Sequence, residues 1–173
     1  NMTIKIKSSK NISNKNNKNI VLFSNDKFNI DGLKKYLSNS EFSYIHDLLK
    51  TSDLKKNLFV FEVNSKKKII LISIKKNLKT SEFENLGAEF YIRINQGKNS
   101  EFFIFSDSVN EKDKDFIGHF LHGIKLKSYE FKKYKTKKEK KTIILNVLAN
   151  KNKISSKNQL KFKALEEGTF YAR

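Results

Sequence analysis

The side chains best suited to proton transfer or metal binding near neutral pH are three histidines, His46, His119 and His122. His119 and His122 lie three apart in an apolar stretch, so on a helix they could share a face and one metal ion. Two ligands do not complete a site, the chain has no cysteine, and no HExxH accompanies the pair. Structural or surface roles are therefore expected for all three. The eighteen acidic residues are scattered, mostly beside lysines, and Glu166-Glu167 is the only adjacent pair. Neighbours on a helix point to different sides, which suits a solvated face better than an acid–base couple. No GxSxG elbow is present, and no GxGxxG. Gly97-Lys98-Asn99-Ser100 ends in a Lys-polar pair but lacks the upstream glycine of a phosphate loop. With only six glycines, a backbone cradle for phosphate is not expected. No residue is nominated as catalytic, cofactor-binding or metal-ligating.

The strongest binding signal is charge. Thirty-six basic against eighteen acidic residues give +18 over 173 residues, which suggests a polyanionic partner. Nine lysines fall between Lys125 and Lys141, interleaved with Tyr129, Phe131 and Tyr134, the composition of a single-strand nucleic-acid groove. Against this, 34 Lys, 20 Asn and 18 Ile read as the imprint of A/T-rich codons. Arg93 and Arg173 are the only arginines, whereas phosphate and base-edge sites favour the planar fork of arginine. The expectation is a solvated lysine face, with at least two of the three rings buried beneath it.

Elements must position whatever these residues do. Thr3–Lys7 alternates apolar and charged, as an edge strand with protective lysines does. Residues 8–19 read as a loop and 19–23 as a short buried strand. Residues 26–50 carry two helical pieces, through Phe28, Leu33 and Leu37, then Phe42, Ile45, Leu48 and Leu49, with an N-cap at 38–40. Strands follow at 58–63 and 68–74, the latter apolar enough to be covered on both faces. Ser81 and Glu84 read as a capping box for a helix ending near Gly97. Residues 101–106 and 141–149 are strands, 111–127 a helix with acidic residues in its first turns, and 158–173 a helix through Leu160, Ala164 and Leu165. This alternation predicts one α/β domain over 1–173: a three-layer sandwich with a mixed, largely parallel sheet of about six strands. The longest apolar run, Ile69–Ile74, is far short of the ~18 residues of a membrane span, and no signal-peptide core follows the N-terminal lysines. A cytoplasmic address with no membrane partner is expected. Asn1 ahead of Met2, the only methionine, reads as an added residue before a native start.

Two segments resemble a known family. Gly118-His119-Phe120-Leu121-His122-Gly123, continuing through Tyr129-Glu130-Phe131 to Tyr134-Lys135-Thr136, resembles the EGxxLxxYxFxxYKT segment of the leucyl (cytosol) aminopeptidases. Ala164-Leu165-Glu166-Glu167-Gly168, ending at Ala172-Arg173, is similar to that family's A…EGxxxAR helix, and Leu86-Gly87-Ala88 fits loosely. Residues 1–60 match in element order alone. His122 stands where the family has Glu. The resemblance implies a macro-like N-terminal domain, with 158–173 leading toward a catalytic domain absent from this sequence. It implies that two divalent metal ions, zinc or manganese, and all catalytic residues lie in that absent part, so catalytic, cofactor and metal residues here are none. The implied partners are the catalytic domain of the same polypeptide and, in the parent hydrolase, the other subunits of a homohexamer. The implied role is in assembly and active-site access. A nucleic-acid-binding module is the second reading, and a nucleotide or ADP-ribose binder the third, on topology alone.

Overall fold

The computed structural model describes residues 2–10, 19–133 and 140–166, the side chains of 164–166 excepted. Six strands are β1 (Met2–Ser9), β2 (Asn19–Ser24), β3 (Leu58–Asn64), β4 (Lys67–Ser73), β5 (Ser100–Phe105) and β6 (Lys141–Leu148). Four α-helices are α1 (Asn39–Lys50), α2 (Thr80–Ile94), α3 (Phe116–Lys132) and α4 (Ser156–Glu166), and a 3-10 helix spans Asp31–Tyr36. The sheet order is β1-β6-β5-β2-β4-β3. All neighbours are parallel except β3, which returns antiparallel to β4 through a tight turn. The mixed, largely parallel α/β architecture read from the sequence is the one present.

Each face of the sheet carries its own core. Val21, Phe23, Ile70, Ile72, Ile104 and Leu145 point to the side covered by α2, α3 and Phe162 of α4. Ile20, Leu22, Ile69, Leu71 and Phe105 point to the side covered by the 3-10 helix and α1. The period-two alternation of strands therefore divides one apolar run between two cores, which is why β4 reads as continuously hydrophobic. Edge strand β1 keeps Met2 and Ile4 buried and Thr3 and Lys5 exposed.

Several local expectations shift. α2 starts earlier than Ser81: the backbone N–H of Lys79 donates to the Glu82 carboxylate at 3.0 Å, so Glu82 sits at N3 and Glu84 is freed for another partner. The capping box appears instead at α1, where Ser38 and Glu41 bond reciprocally. Gly97 takes φ +70° two residues beyond the Asn95 cap rather than next to it. The acidic residues before α3 form turns ahead of the helix instead of its first turn, because Asp113 and Glu111 accept backbone N–H groups there. The first helical piece is the 3-10 helix. α4 begins at Ser156 and leaves Leu160 68% exposed, while Phe162 makes the core contact. Residues 167–173 lie outside the described residues.

Helices α2 and α3 meet closely enough that only glycine fits at the crossing. A Cβ on Gly87 would strike the carbonyl oxygen of Phe120, and one on Gly123 the carbonyl oxygen of Glu84. Gly123→Val should therefore force the helices apart and cost at least about 3 kcal/mol, the upper end of overpacking effects. Gly32→Ala, with nothing near the added carbon, should stay within about 0.5 kcal/mol of wild type. Denaturant unfolding of the two variants checks both values.

Candidate functional site

The histidines do not assemble. His46 is half-buried on α1, stacked on Phe42. His119 lies 3.9 Å from Asp113 and 4.0 Å from Asp115 at the start of α3. His122 is buried, with Nδ1 2.7 Å from Oε2 of Glu84 across the glycine crossing. One turn of helix thus sends the two histidines to different partners. Among the described residues no group of three His, Asp or Glu side chains could hold a metal ion. Glu166-Glu167 falls outside the described side chains.

Gly97-Lys98-Asn99-Ser100 sits at the N-terminal end of β5, where Asn99 Oδ1 accepts the backbone N–H of Thr142 at 2.8 Å. Ligands of open α/β sheets bind at the opposite, C-terminal ends of the strands. Beside the ends of β5 and β6 that crest is occupied by the protein's own side chains, while at the end of β4 a cavity of about 310 Å³ is lined by Ser73, Lys75, Leu78 and Glu82. Asp107, just after β5, accepts backbone N–H groups of Asn150, Lys151 and Asn152 at 2.6–3.2 Å. Ser106 Oγ donates to the Asn152 carbonyl, and the Asn152 amide returns a bond to the Ser106 carbonyl. Ser108 Oγ accepts from Phe23 N–H, and Ser73 Oγ donates to the Asn25 carbonyl. The loop after β6 has the converging N–H groups of an anion site, with an internal carboxylate as its anion.

Perturbed titrations are equally structural. Burial alone would raise the Asp107 carboxyl, but the N–H groups of Asn152, Asn150 and Lys151 outweigh it and hold the group below its ordinary value of 3.8. Burial opposes Glu41 in the same way, and Lys67 at 2.8 Å with the Ser38 N–H brings it below the usual carboxylate value. Burial pushes the Tyr91 hydroxyl up to about 12, far from any proton-transfer role at neutral pH.

The basic stretch is corrected in two places. Lys125 is 6% exposed, and its Nζ donates to the Ile4 carbonyl of β1 at 2.9 Å, so it holds the sheet edge instead of joining a lysine face. Tyr129 is exposed, with Lys133 over its ring. Phe131 is half-buried, edge-on to Tyr91 at 5.5 Å, and Tyr134 lies outside the described residues. Of the expected burial of at least two rings, Phe131 follows it and Tyr129 does not, because two residues turn the helix by about 200° and set Tyr129 on the face away from Tyr91.

The surface that sequence reasoning missed lies at β3. Among the described residues nothing pairs with its outer edge. An open groove of about 510 Å³ follows that edge, lined by Tyr44 and Leu48 of α1, Val60 and Glu62 of β3, and Arg93 and Ile94 of α2. The only sequence signal was the low charge of Leu58–Val63 beside the lysine-bearing β1.

No family model matches the sequence, and no curated protein matches it significantly. Solved structures do match. A mutant of tomato leucine aminopeptidase superposes with a TM-score of 0.63 at 11% identity, over 95% of this chain and 35% of that one. The likeness is one of fold. This chain spans about a third of that enzyme's length. Of the segments that carry the family resemblance, the one beginning at Gly118 meets the loosely fitting Leu86-Gly87-Ala88 at the α2–α3 crossing, so Gly87 and Gly123 serve packing.

Two outcomes test this account. Asp107→Asn should cost about 2 kcal/mol at neutral pH by losing charge-assisted bonds. Because the folded-state value is depressed, the wild-type advantage should hold above about pH 5 and shrink as pH falls through and below the ordinary carboxylate range; thermal melts of both proteins from pH 7 to 3 read the difference. Phe131→Ala should cost about 1–2 kcal/mol, less than the loss for a fully buried ring, and denaturant midpoints check it.

Proposed function

We propose that this chain is the non-catalytic N-terminal domain of a leucyl aminopeptidase, acting in assembly and active-site access of a metal-dependent exopeptidase. The observation that carries the reading is that nearly all of this chain overlays on a minor part of a leucine aminopeptidase, as one domain of a larger enzyme would. The Gly118–Thr136 and Ala164–Arg173 segments, with their family-like spacing, support the same conclusion. In this reading the two divalent ions, zinc or manganese, and the groups that activate water on them belong to the catalytic domain of the same polypeptide. The parent would form a homohexamer in the cytoplasm. Among the described residues no helix is long and apolar enough to cross a membrane.

The deciding experiment is the reading frame beyond the Arg173 codon. A continuation encoding an aminopeptidase domain with its carboxylate ligands is expected; an immediate stop codon would overturn the reading. The 173-residue chain itself should not hydrolyse leucyl-p-nitroanilide with added zinc or manganese. Metal-dependent turnover that survives rigorous purification would count against it.

A further inference from the structure

We propose that the free edge of β3 is a docking site for an extended, acidic-ended segment of a partner polypeptide, which adds to the sheet as a seventh strand. This inference does not depend on the aminopeptidase reading. The hydrogen-bond phase is set by the N–H of Ser73, which donates to the Asn57 carbonyl at 2.8 Å. Along this antiparallel pair Asn57, Phe59 and Phe61 then bond inward to β4. By alternation Leu58, Val60 and Glu62 turn their N–H and C=O groups outward. Three successive outward pairs form a template for one added strand.

The edge is built to be covered. Helices α1 and α2 both line the groove along it, and two exposed apolar residues of α1 stand there, Tyr44 at 45% and Leu48 at 37% exposure. The other edge of the sheet is guarded, with Lys5 and Lys7 alternating along β1 and Lys125 bonded to its backbone. No lysine side chain lies on the central residues of β3, Leu58–Val63.

Charge selects the occupant. Exposed Lys55 and Lys56 precede the strand, exposed Lys66 lies in the turn after it, and exposed Arg93 flanks the groove. The acidic groups nearby are Asp53 and Glu62, the latter 3.9 Å from Lys68. Cations at both ends of an apolar edge match a strand with apolar residues at its centre and carboxylates at its ends. A second copy of this chain would bring another +18 to the same place and is disfavoured.

The probe is the fluorescein-labelled peptide Asp-Glu-Val-Thr-Val-Thr-Val-Glu-Asp, titrated with the 173-residue protein and read by anisotropy. Saturable binding is expected, weakening at least about tenfold when the four terminal acids are replaced by lysines. Val60→Pro removes an outward N–H that β4 does not use, which an edge strand tolerates. It should weaken binding by about the same factor with the far-ultraviolet circular dichroism unchanged. A second pair of changes, Lys56→Glu with Lys66→Glu, leaves the backbone alone and should reverse the preference toward the lysine-ended peptide. Three results would overturn the proposal: no saturation, equal binding of the two peptides, or a dimer in light scattering that Val60→Pro dissolves. The last would make a second copy the occupant.

Discussion

The contact on which the rest of the molecule depends is the approach of α2 to α3 at Gly87 and Gly123. Each glycine admits a backbone carbonyl of the other helix, so the two axes come as close as helices can. That closeness sets the depth of the aromatic layer beneath. Phe116 and Phe120 then meet Phe23 of the central strand edge-on, at 5.3 and 5.4 Å, and Phe90 meets Phe102 at 5.7 Å. The same crossing brings Glu84 to His122, so a polar pair seals the rim of an otherwise apolar seam. A wider crossing would leave gaps that these rings could not fill.

On the crest of the sheet the polar groups are spent on one another. Asp107, Ser106, Ser108 and Asn152 tie the loop after β5 to the loop after β6 and to β2. Each bond satisfies a strand-end group that would otherwise be open to a ligand. The consequence is a domain whose strand ends at β5 and β6 are taken by its own groups, while among the described residues the outer edge of β3 is unpaired. Such an edge suits contact with a polypeptide better than capture of a nucleotide.

The two edges of the sheet show how unevenly the lysines are used. On β1 they alternate with the core residues, and one more reaches in from α3 to the strand backbone. On β3 they stand only at the ends. A net charge of +18 hides this difference, because composition sums over positions that the sheet separates by its full width.

The sequence by itself determined the element order, the mixed largely parallel sheet, the edge position of β1 and the Ser38 cap region. Period-two and period-3.6 patterns and short-range capping are local, so Thr3–Lys7 or Phe42–Leu49 could be read without the rest of the chain. Reading failed where two local signals competed. Ser81 with Glu84 and Lys79 with Glu82 offer the same spacing, and the choice fell to the pair that leaves Glu84 free to meet His122, 38 residues away. The fates of Lys125 and Asp107 were settled by partners 121 and 43–45 residues distant, and that of Tyr129 by which face of α3 meets α2. The open edge of β3 belongs to the same class. Whether a strand is flanked on one side or two is a property of sheet order, which is decided by how α2 and α3 carry the chain back across the sheet, and nothing within Leu58–Asn64 encodes it.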